Sequence, residues 1–478
     1  MAVSFVLNGE TVRMKDGEID PHTTLLQWLR GRGLTGSKEG CAEGECGACA
    51  VAILRRDPSA DARLDPINSC LVPLLAVADQ SIVTVEGVAG PRGALHPVQR
   101  MMADMGGSQC GYCTPGFVVS LFCEYYRPRR AGYDPEAISG NLCRCTGYRP
   151  IADVARALPP PTAGDPRLAW LGGAAPLALA ALDEAGAGGR FLRPTSLAAT
   201  LAALGAHPDA VLMAGGTDLM VYVNQRHQRF PALVSLEAVP ELRRFEVDDQ
   251  QIVIGAGVTL SEIEARVAPG ASAVAAELSM LHQVLRLFSS RLIRNRATLG
   301  GNLGTASPIG DGPPALLALD ATLTLASAAG TRRMALADFF LGYRQNALAP
   351  GELIISVQLP RPLPAHQRFY KVSKREMDDI STVAGAFGLD LAPDGRVQRL
   401  RIAYGGVAAT PVRARAAEAL AVGKPWSPET ITALVAALEG LGSPMTDQRG
   451  SAAYRRAMMG RLLEKLFAHT ATPGGAAA

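Results

Sequence analysis

The sequence predicts a multidomain α+β chain, and three observations predict it. All nine cysteines lie between Cys41 and Cys145, so sulfur chemistry is confined to the first third of 478 residues. The hydrophobic pattern changes along the chain, from a strand pair at the N-terminus to helical spacing after Leu95, then to alternating strands and helices after Arg190. At about 100–200 residues per domain the length allows three or four domains, and 48% hydrophobic residues are enough to fill their cores. With 47 Lys plus Arg against 44 Asp plus Glu, the net charge of +3 gives no reason to expect nucleic acid or an anionic membrane as partner. The richest apolar stretches, 70–78 and 174–182, fall far short of the roughly 20 residues a membrane helix needs.

Taken in order, residues 4–7 and 10–14 flank Asn8-Gly9, a strong hairpin turn signal. The N-terminus therefore reads as a strand pair and not as a signal peptide, and a cytoplasmic location is expected. A helix over 24–32 closed by Gly33, a Gly-rich cysteine loop, and strands near 51–54 and 82–85 complete a small domain over 1–88. Over 89–158 the spacing turns helical: Val98, Met101, Met102 and Met105, then Phe117, Val118, Leu121, Phe122 and Tyr125. Pro159-Pro160-Pro161 opens a Pro-, Ala- and Gly-rich stretch to residue 190 that is expected to be an extended linker. An α/β domain follows over 191–362, with a helix near 196–204 and strands near 210–213, 232–236 and 251–254. A last unit over 365–470 carries strands near 383–391 and 399–404 and then helices, and 472–478 reads as a frayed tail.

Cys41, Cys46 and Cys49 make C-x4-C-x2-C, and Cys70 follows after twenty intervening residues, the plant-type spacing for a [2Fe–2S] cluster. Gly40, Gly44 and Gly47 lie between the ligands, where a chain wrapped around four sulfurs needs close backbone approach. Zinc usually takes two short cysteine knuckles instead. Cys110 with Cys113 and Cys143 with Cys145 give C-x2-C and C-x-C, each ahead of a predicted helix opened by proline, at Thr114-Pro115 and Arg149-Pro150. A helix N-terminus lowers thiolate pKa and favours an anionic cluster, so a second [2Fe–2S] is the reading, with zinc the alternative. Cys123 is left over and reads as a small buried hydrophobe.

These motifs, with Gly107-Ser-Gln-Cys-Gly-Tyr-Cys-Thr-Pro-Gly116 and Gly140-Asn-Leu-Cys-Arg-Cys-Thr-Gly-Tyr148, resemble the molybdenum hydroxylase family. The resemblance implies a β-grasp ferredoxin-like domain, a helical-bundle [2Fe–2S] domain, and an α+β FAD-binding domain of the PCMH/vanillyl-alcohol-oxidase type with a C-terminal α+β subdomain. It also implies that Gln109 approaches the molybdopterin of a partner. The segments 212–219 and 297–311 look like the family's two FAD loops. By that resemblance Leu212, Met213, Ala214, Gly215, Gly216, Thr217, Asp218, Leu219, Phe288, Thr298, Leu299, Gly300, Gly301, Asn302, Asp311, Ile354 and Lys371 fall where FAD is contacted.

On the residues alone, Gly215-Gly216 and Gly300-Gly301 would let backbone N–H groups approach a pyrophosphate, with Thr217, Thr298 and Asn302 offering hydrogen bonds. Gly-Gly pairs also serve as plain turns. There is no Walker A sequence, and Gly255-Ala-Gly257 lacks the third glycine of a dinucleotide fingerprint because Leu260 stands in its place. Arg291, Arg294 and Arg296 could neutralise phosphates or bind NAD, or form a solvated or intersubunit basic face. His282 and the other histidines show no ligand or triad spacing, and no catalytic side chain is expected.

The domain order is similar to that of the family's xanthine dehydrogenases, which implies a division of labour. A molybdenum-cofactor-binding large subunit on a partner chain would hydroxylate a purine, hypoxanthine or xanthine to urate. Electrons would pass through the cluster of Cys110, Cys113, Cys143 and Cys145, then that of Cys41, Cys46, Cys49 and Cys70, to FAD and on to NAD⁺. The relatives' dimer of heterodimers is the expected assembly. The alternative is the iron–sulfur and FAD subunit of another member acting on aldehydes or N-heterocycles.

Overall fold

A computed structural model describes residues 3–15, 17–56, 61–90 and 93–471; the expected tail at 472–478 lies outside the described residues. Two units are described separately, Met1–Val239 with Ser290–Ala297, and Pro240–Ser289 with Thr298–Ala478.

In the first unit, β1 (Val3–Leu7) and β2 (Glu10–Met14) pair antiparallel with Leu7 opposite Glu10. Asn8 and Gly9 between them both have positive φ, as the hairpin turn requires. Thr24 caps α1 (Leu25–Gly31) through a reciprocal capping box with Gln27, and the helix buries Leu25, Leu26 and Leu29. With β3 (Ala50–Arg55), β4 (Arg63–Asn68) and β5 (Ser81–Val83) the sheet order is β2-β1-β5-β3-β4, with β1 parallel to β5. This is the ferredoxin-like sheet. It is covered on both faces, and β3 shows how: Val51 and Ile53 join α1's core, while Ala50 and Ala52 face the helical region. Those small residues let a helix lie close.

The helical region comprises α2 (Pro97–Asp104), α3 (Thr114–Tyr125) and α4 (Arg149–Ala157). Phe117, Leu121 and Phe122 of α3 share a core with Ala50, Ala52 and Val83 of the sheet.

The stretch 159–190, expected to be an extended linker, holds secondary structure. Asp165 caps α5 (Pro166–Gly172), and β6 (Leu182–Gly186) forms a hairpin with β7 (Gly189–Arg193). An Asp N-cap with proline at the first helical position is a start signal that the Ala- and Gly-rich composition masked. Then follow α6 (Leu197–Ala206), β8 (Ala210–Met213), α7 (Leu219–Arg226) and β9 (Ala232–Ser235). The sheet order is β6-β7-β9-β8, with both pairings of β9 parallel.

The second unit contains a five-stranded antiparallel sheet, Phe245–Val247, Gln251–Gly255, Leu353–Pro360, Thr322–Ser327 and Gly330–Ala335 in spatial order. A four-stranded antiparallel sheet, led by His366–Val372, Val383–Leu391 and Val397–Gly405, packs on helices Arg415–Ala421, Pro428–Leu438 and Ala452–Ala471. The chain is thus mixed α+β throughout. Among the described residues no helix is long and apolar enough to cross a membrane.

Candidate electron-transfer site

The β3–β4 pairing, with Ala50 opposite Asn68, brings Cys49 and Cys70 to one end of the sheet. Their sulfurs lie 3.4 Å apart and both residues are buried. Cys41 and Cys46 stand in the loop before β3, where the Cys46 N–H donates to Cys41 Sγ at 3.4 Å. The thiols act in pairs. A hydrogen bond with Cys46 pulls Cys41 down to about 5 against the effect of burial, while Cys46 is pushed up by the same contact and by burial. Likewise Cys70 lowers Cys49, and Cys49 raises Cys70.

In the second set, Cys113 caps α3, and Cys143 and Cys145 occupy the loop before α4. Cys110 hydrogen-bonds Cys145, and Cys113 hydrogen-bonds Cys143. Thr146 N–H also donates to Cys143 Sγ at 3.4 Å. Cys113 does not show the lowering expected at a helix N-terminus: burial first, then Cys143, push it up to about 12. Cys110 and Cys145 are exposed, and beside them stand the exposed side chains of Tyr112, Leu142 and Tyr148. Cys123 is 4% exposed on α3, with burial raising its thiol pKa, so it is the small hydrophobe expected.

The sulfurs therefore meet two and two in both sets. Among the described residues, no three His, Cys, Asp or Glu side chains gather around a single metal position. Two thiolates for each of two irons is what a [2Fe–2S] cluster asks of its ligands, so the donor set fits such a cluster, and the irons' charge would relieve the repulsion between neighbouring thiolates.

The two cysteine loops also touch. Leu142 N–H donates to the Cys46 carbonyl at 3.0 Å, and Asn141 Nδ2 to the Gly47 carbonyl at 3.2 Å. Sequence reasoning missed Asn141, because a lone Asn before a cysteine carries no signal of a distant loop. Gln109, expected near a partner's molybdopterin, is exposed one residue before Cys110.

Of the residues expected to contact FAD, Leu212 and Met213 end β8, Ala214, Gly215, Gly216, Thr217 and Asp218 form the following loop, and Leu219 opens α7; all belong to the first unit. The remainder belong to the second unit. Phe288 caps the helix Ser279–Leu287, and Thr298 caps Leu299–Gly304, accepting from Gly301 N–H at 3.0 Å. That short helix contains Leu299, Gly300, Gly301 and Asn302, and Ile354 is buried in its strand. Lys371 Nζ donates to Asp311 and to the Leu287 carbonyl, both at 2.8 Å, and Ser381 donates to Asp311 at 2.5 Å. Asn302 Oδ1 is buried and has no hydrogen-bond partner among the described residues, an acceptor left for a bound group.

Two of the glycines have a packing role that the sequence did not reveal. A Cβ on Gly215 would lie 1.9 Å from the Arg296 carbonyl, and one on Gly300 would lie 2.6 Å from Ala256 Cβ. The basic segment is neither a solvated face nor a free phosphate clamp, since each arginine pairs with an acid of this chain. Arg291 meets Asp134 at 2.7 Å, Arg294 meets Glu136 in full burial, and Arg296 meets Glu237 at 2.8 Å. Against the upward push of burial, Arg296 and Arg55 hold Glu237 at about 2.

Comparison with known proteins agrees with this geometry. Residues 8–75 match the 2Fe-2S iron-sulfur cluster binding domain, and 84–156 match a [2Fe-2S] binding domain. Residues 186–362 match the FAD binding domain in molybdopterin dehydrogenase, and 368–470 the CO dehydrogenase flavoprotein C-terminal domain. Xanthine dehydrogenase of Emericella nidulans is 34% identical over 91% of this chain and 36% of its own length. Xanthine dehydrogenase 2 of Arabidopsis thaliana is 33% identical over 89% of this chain and 37% of its own. The chain thus spans little more than a third of these curated relatives. Among solved structures, a chain of reconstituted CO dehydrogenase from Oligotropha carboxidovorans superposes with a TM-score of 0.54 at 29% identity, over 57% of this chain and 94% of that one. A chain of quinoline 2-oxidoreductase from Pseudomonas putida 86 gives 0.53 at 29% identity, over 58% and 95%.

Two iron–sulfur domains followed by an FAD-binding domain define an electron-transferring flavoprotein. More particularly, the chain is the iron–sulfur and FAD module of a molybdenum-hydroxylase family enzyme, homologous to the xanthine dehydrogenases.

Proposed function

We propose that this chain relays electrons from a molybdenum cofactor on a partner subunit, through two [2Fe–2S] clusters, to FAD. Cys110, Cys113, Cys143 and Cys145 would hold the entry cluster, and Cys41, Cys46, Cys49 and Cys70 the second. The observation that carries the direction is the contrast in burial. Cys110 and Cys145 stand exposed beside exposed Tyr112, Leu142 and Tyr148, a surface suited to a partner, while Cys49 and Cys70 are buried. The 3.0 Å bond from Leu142 N–H to the Cys46 carbonyl links a residue next to ligand Cys143 with a ligand of the inner set.

FAD, when bound, collects electrons that clusters deliver singly and passes a pair on as hydride; NAD⁺ is the proposed acceptor. The chain's own residues hold and orient. The residues proposed for FAD are Leu212 to Leu219, Phe288, Thr298 to Asn302, Asp311, Ile354 and Lys371, a set that rests on the resemblance of the two loops to the family's flavin loops. Lys371 Nζ donates to Asp311 at 2.8 Å and so holds that carboxylate in place.

We read the substrate as a purine, xanthine or hypoxanthine, because relatives matching 85–97% of this chain carry the xanthine dehydrogenase name. The likeness to quinoline 2-oxidoreductase and CO dehydrogenase structures supports a second reading, another molybdenum hydroxylase acting on an N-heterocycle or aldehyde. Co-expression with the molybdenum subunit and a Cys113→Ser substitution test the relay. The variant should lose one cluster signal and xanthine-driven flavin reduction, while NADH still reduces the flavin. Normal flavin reduction from xanthine would refute the path.

A further inference from the structure

The helix that leaves the 212–219 loop ends against the first cysteine loop. Asn224, near the C-terminus of α7, donates from Nδ2 to the Cys70 carbonyl at 2.8 Å and to the Ala42 carbonyl at 2.9 Å. Gln225 Nε2 donates to the Cys41 carbonyl at 2.7 Å. An Asn amide has two N–H groups, and both of these go to the cysteine segments.

The rest of α7 supports the same contact. Met220 and Val223 are buried in one core with Cys49, Cys70 and Leu71. Gly216, at φ 79°, lies so close to Leu71 that a Cβ would sit 3.0 Å from its carbonyl oxygen. The loop, the helix and the cysteine segments are thus fixed together within the first unit.

The residues held are informative. Cys41 comes from one thiol pair and Cys70 from the other, so a single helix end restrains a ligand from each half of the set.

We propose that Asn224 and Gln225 are positioning residues for electron transfer, fixing the cluster of Cys41, Cys46, Cys49 and Cys70 at a set separation from FAD. This rests on the iron–sulfur and flavin reading above. In the step they serve, the reduced cluster gives up one electron and returns to its oxidised form, and FAD accepts it. Two such transfers, with protons from water, complete flavin reduction.

The test uses the full chain with Asn224→Leu, which keeps the side chain's size and removes both donors, and Gln225→Leu, at an exposed position where folding is not at risk. Iron and FAD content are measured first, then cluster-to-flavin electron exchange after flash reduction, then EPR of both clusters. Asn224→Leu should slow exchange about 10-fold, the scale on which groups supporting metal ligands act, and should shift the first cluster's EPR signal while leaving the second unchanged. Gln225→Leu should move both readouts less in the same direction. If both variants keep iron and FAD and exchange at the wild-type rate with unchanged EPR, the inference is wrong. If Asn224→Leu fails to fold, Gln225→Leu alone decides between the same outcomes. A wild-type chain lacking iron or FAD would overturn the underlying reading, and this inference with it.

Discussion

Gly47→Ala should be the most damaging single methyl group in the cysteine loops. Gly47 has φ 63°, and a Cβ there would lie 2.2 Å from the Gly140 carbonyl oxygen and 2.4 Å from Asn141 Nδ2. Neither neighbour has room to yield, because Gly140 lies against Ser290 and Asn141 Nδ2 lies against Gly116. The loops must therefore separate, breaking the bonds from Leu142 N–H to the Cys46 carbonyl and from Asn141 to the Gly47 carbonyl. The left-handed backbone costs an alanine about 1 kcal/mol, and two lost hydrogen bonds about 1 kcal/mol each, giving roughly 3 kcal/mol. Gly106→Ala is the control, with φ 67° and nothing within 4 Å of the added carbon, so it should cost only the backbone share of about 1 kcal/mol. Urea unfolding followed by visible circular dichroism of the clusters measures both. An equal cost for the two variants would refute the claim that the cysteine loops are locked together at Gly47.

Acid should weaken the helical region through His96. Its ring is neutral in the fold: Nδ1 accepts from Val98 N–H at 3.2 Å, and Nε2 lies 3.0 Å from Tyr126 Oη, which donates to Asp165 at 2.7 Å. Burial lowers its pKa from 6.5 to about 4, with Asp165 opposing and Arg167 assisting. A depressed pKa stabilises the fold above pH 6.5, and that contribution drains away as pH falls through about 4. At 1.36 kcal/mol per pH unit its ceiling is about 3 kcal/mol; His96→Asn should flatten this part of the stability profile, and an unchanged profile would count against it. Arg294→Met removes the guanidinium buried beside Glu136 and should cost about 3 kcal/mol in unfolding experiments. Adding Glu136→Gln should recover much of that, and a harmless single variant would contradict the pairing.

The cysteine sets were legible because a cluster needs four sulfurs at spacings that a loop can wrap. The Asn8-Gly9 hairpin, the helix after Ser196 and the strand at Val383–Leu391 were legible for a similar reason, since local turn, cap and alternation chemistry specifies them. What stayed hidden depends on contacts between distant segments. Arg291, Arg294 and Arg296 look like a basic face until Asp134, Glu136 and Glu237 are brought to them. Gly215 and Gly300 look like ligand-facing glycines until the neighbouring backbone fills the space. Asn224 and Gln225 carry no pattern at all, and Asn141 stands in a cysteine motif that does not show what its amide holds, because an amide side chain reveals its role only through the carbonyls it reaches. The helix Pro166–Gly172 and the hairpin that starts at Leu182 were hidden for another reason, a composition that reads as linker.

The central claim is that this chain carries two iron–sulfur clusters and a flavin in series. Iron, zinc and flavin analysis of the isolated chain, with EPR after dithionite reduction, tests it most directly. The account predicts two irons for each of two cysteine sets, stoichiometric FAD, and two distinct rhombic [2Fe–2S] signals. Zinc in place of iron, or a chain purified without flavin that takes up none, would contradict it.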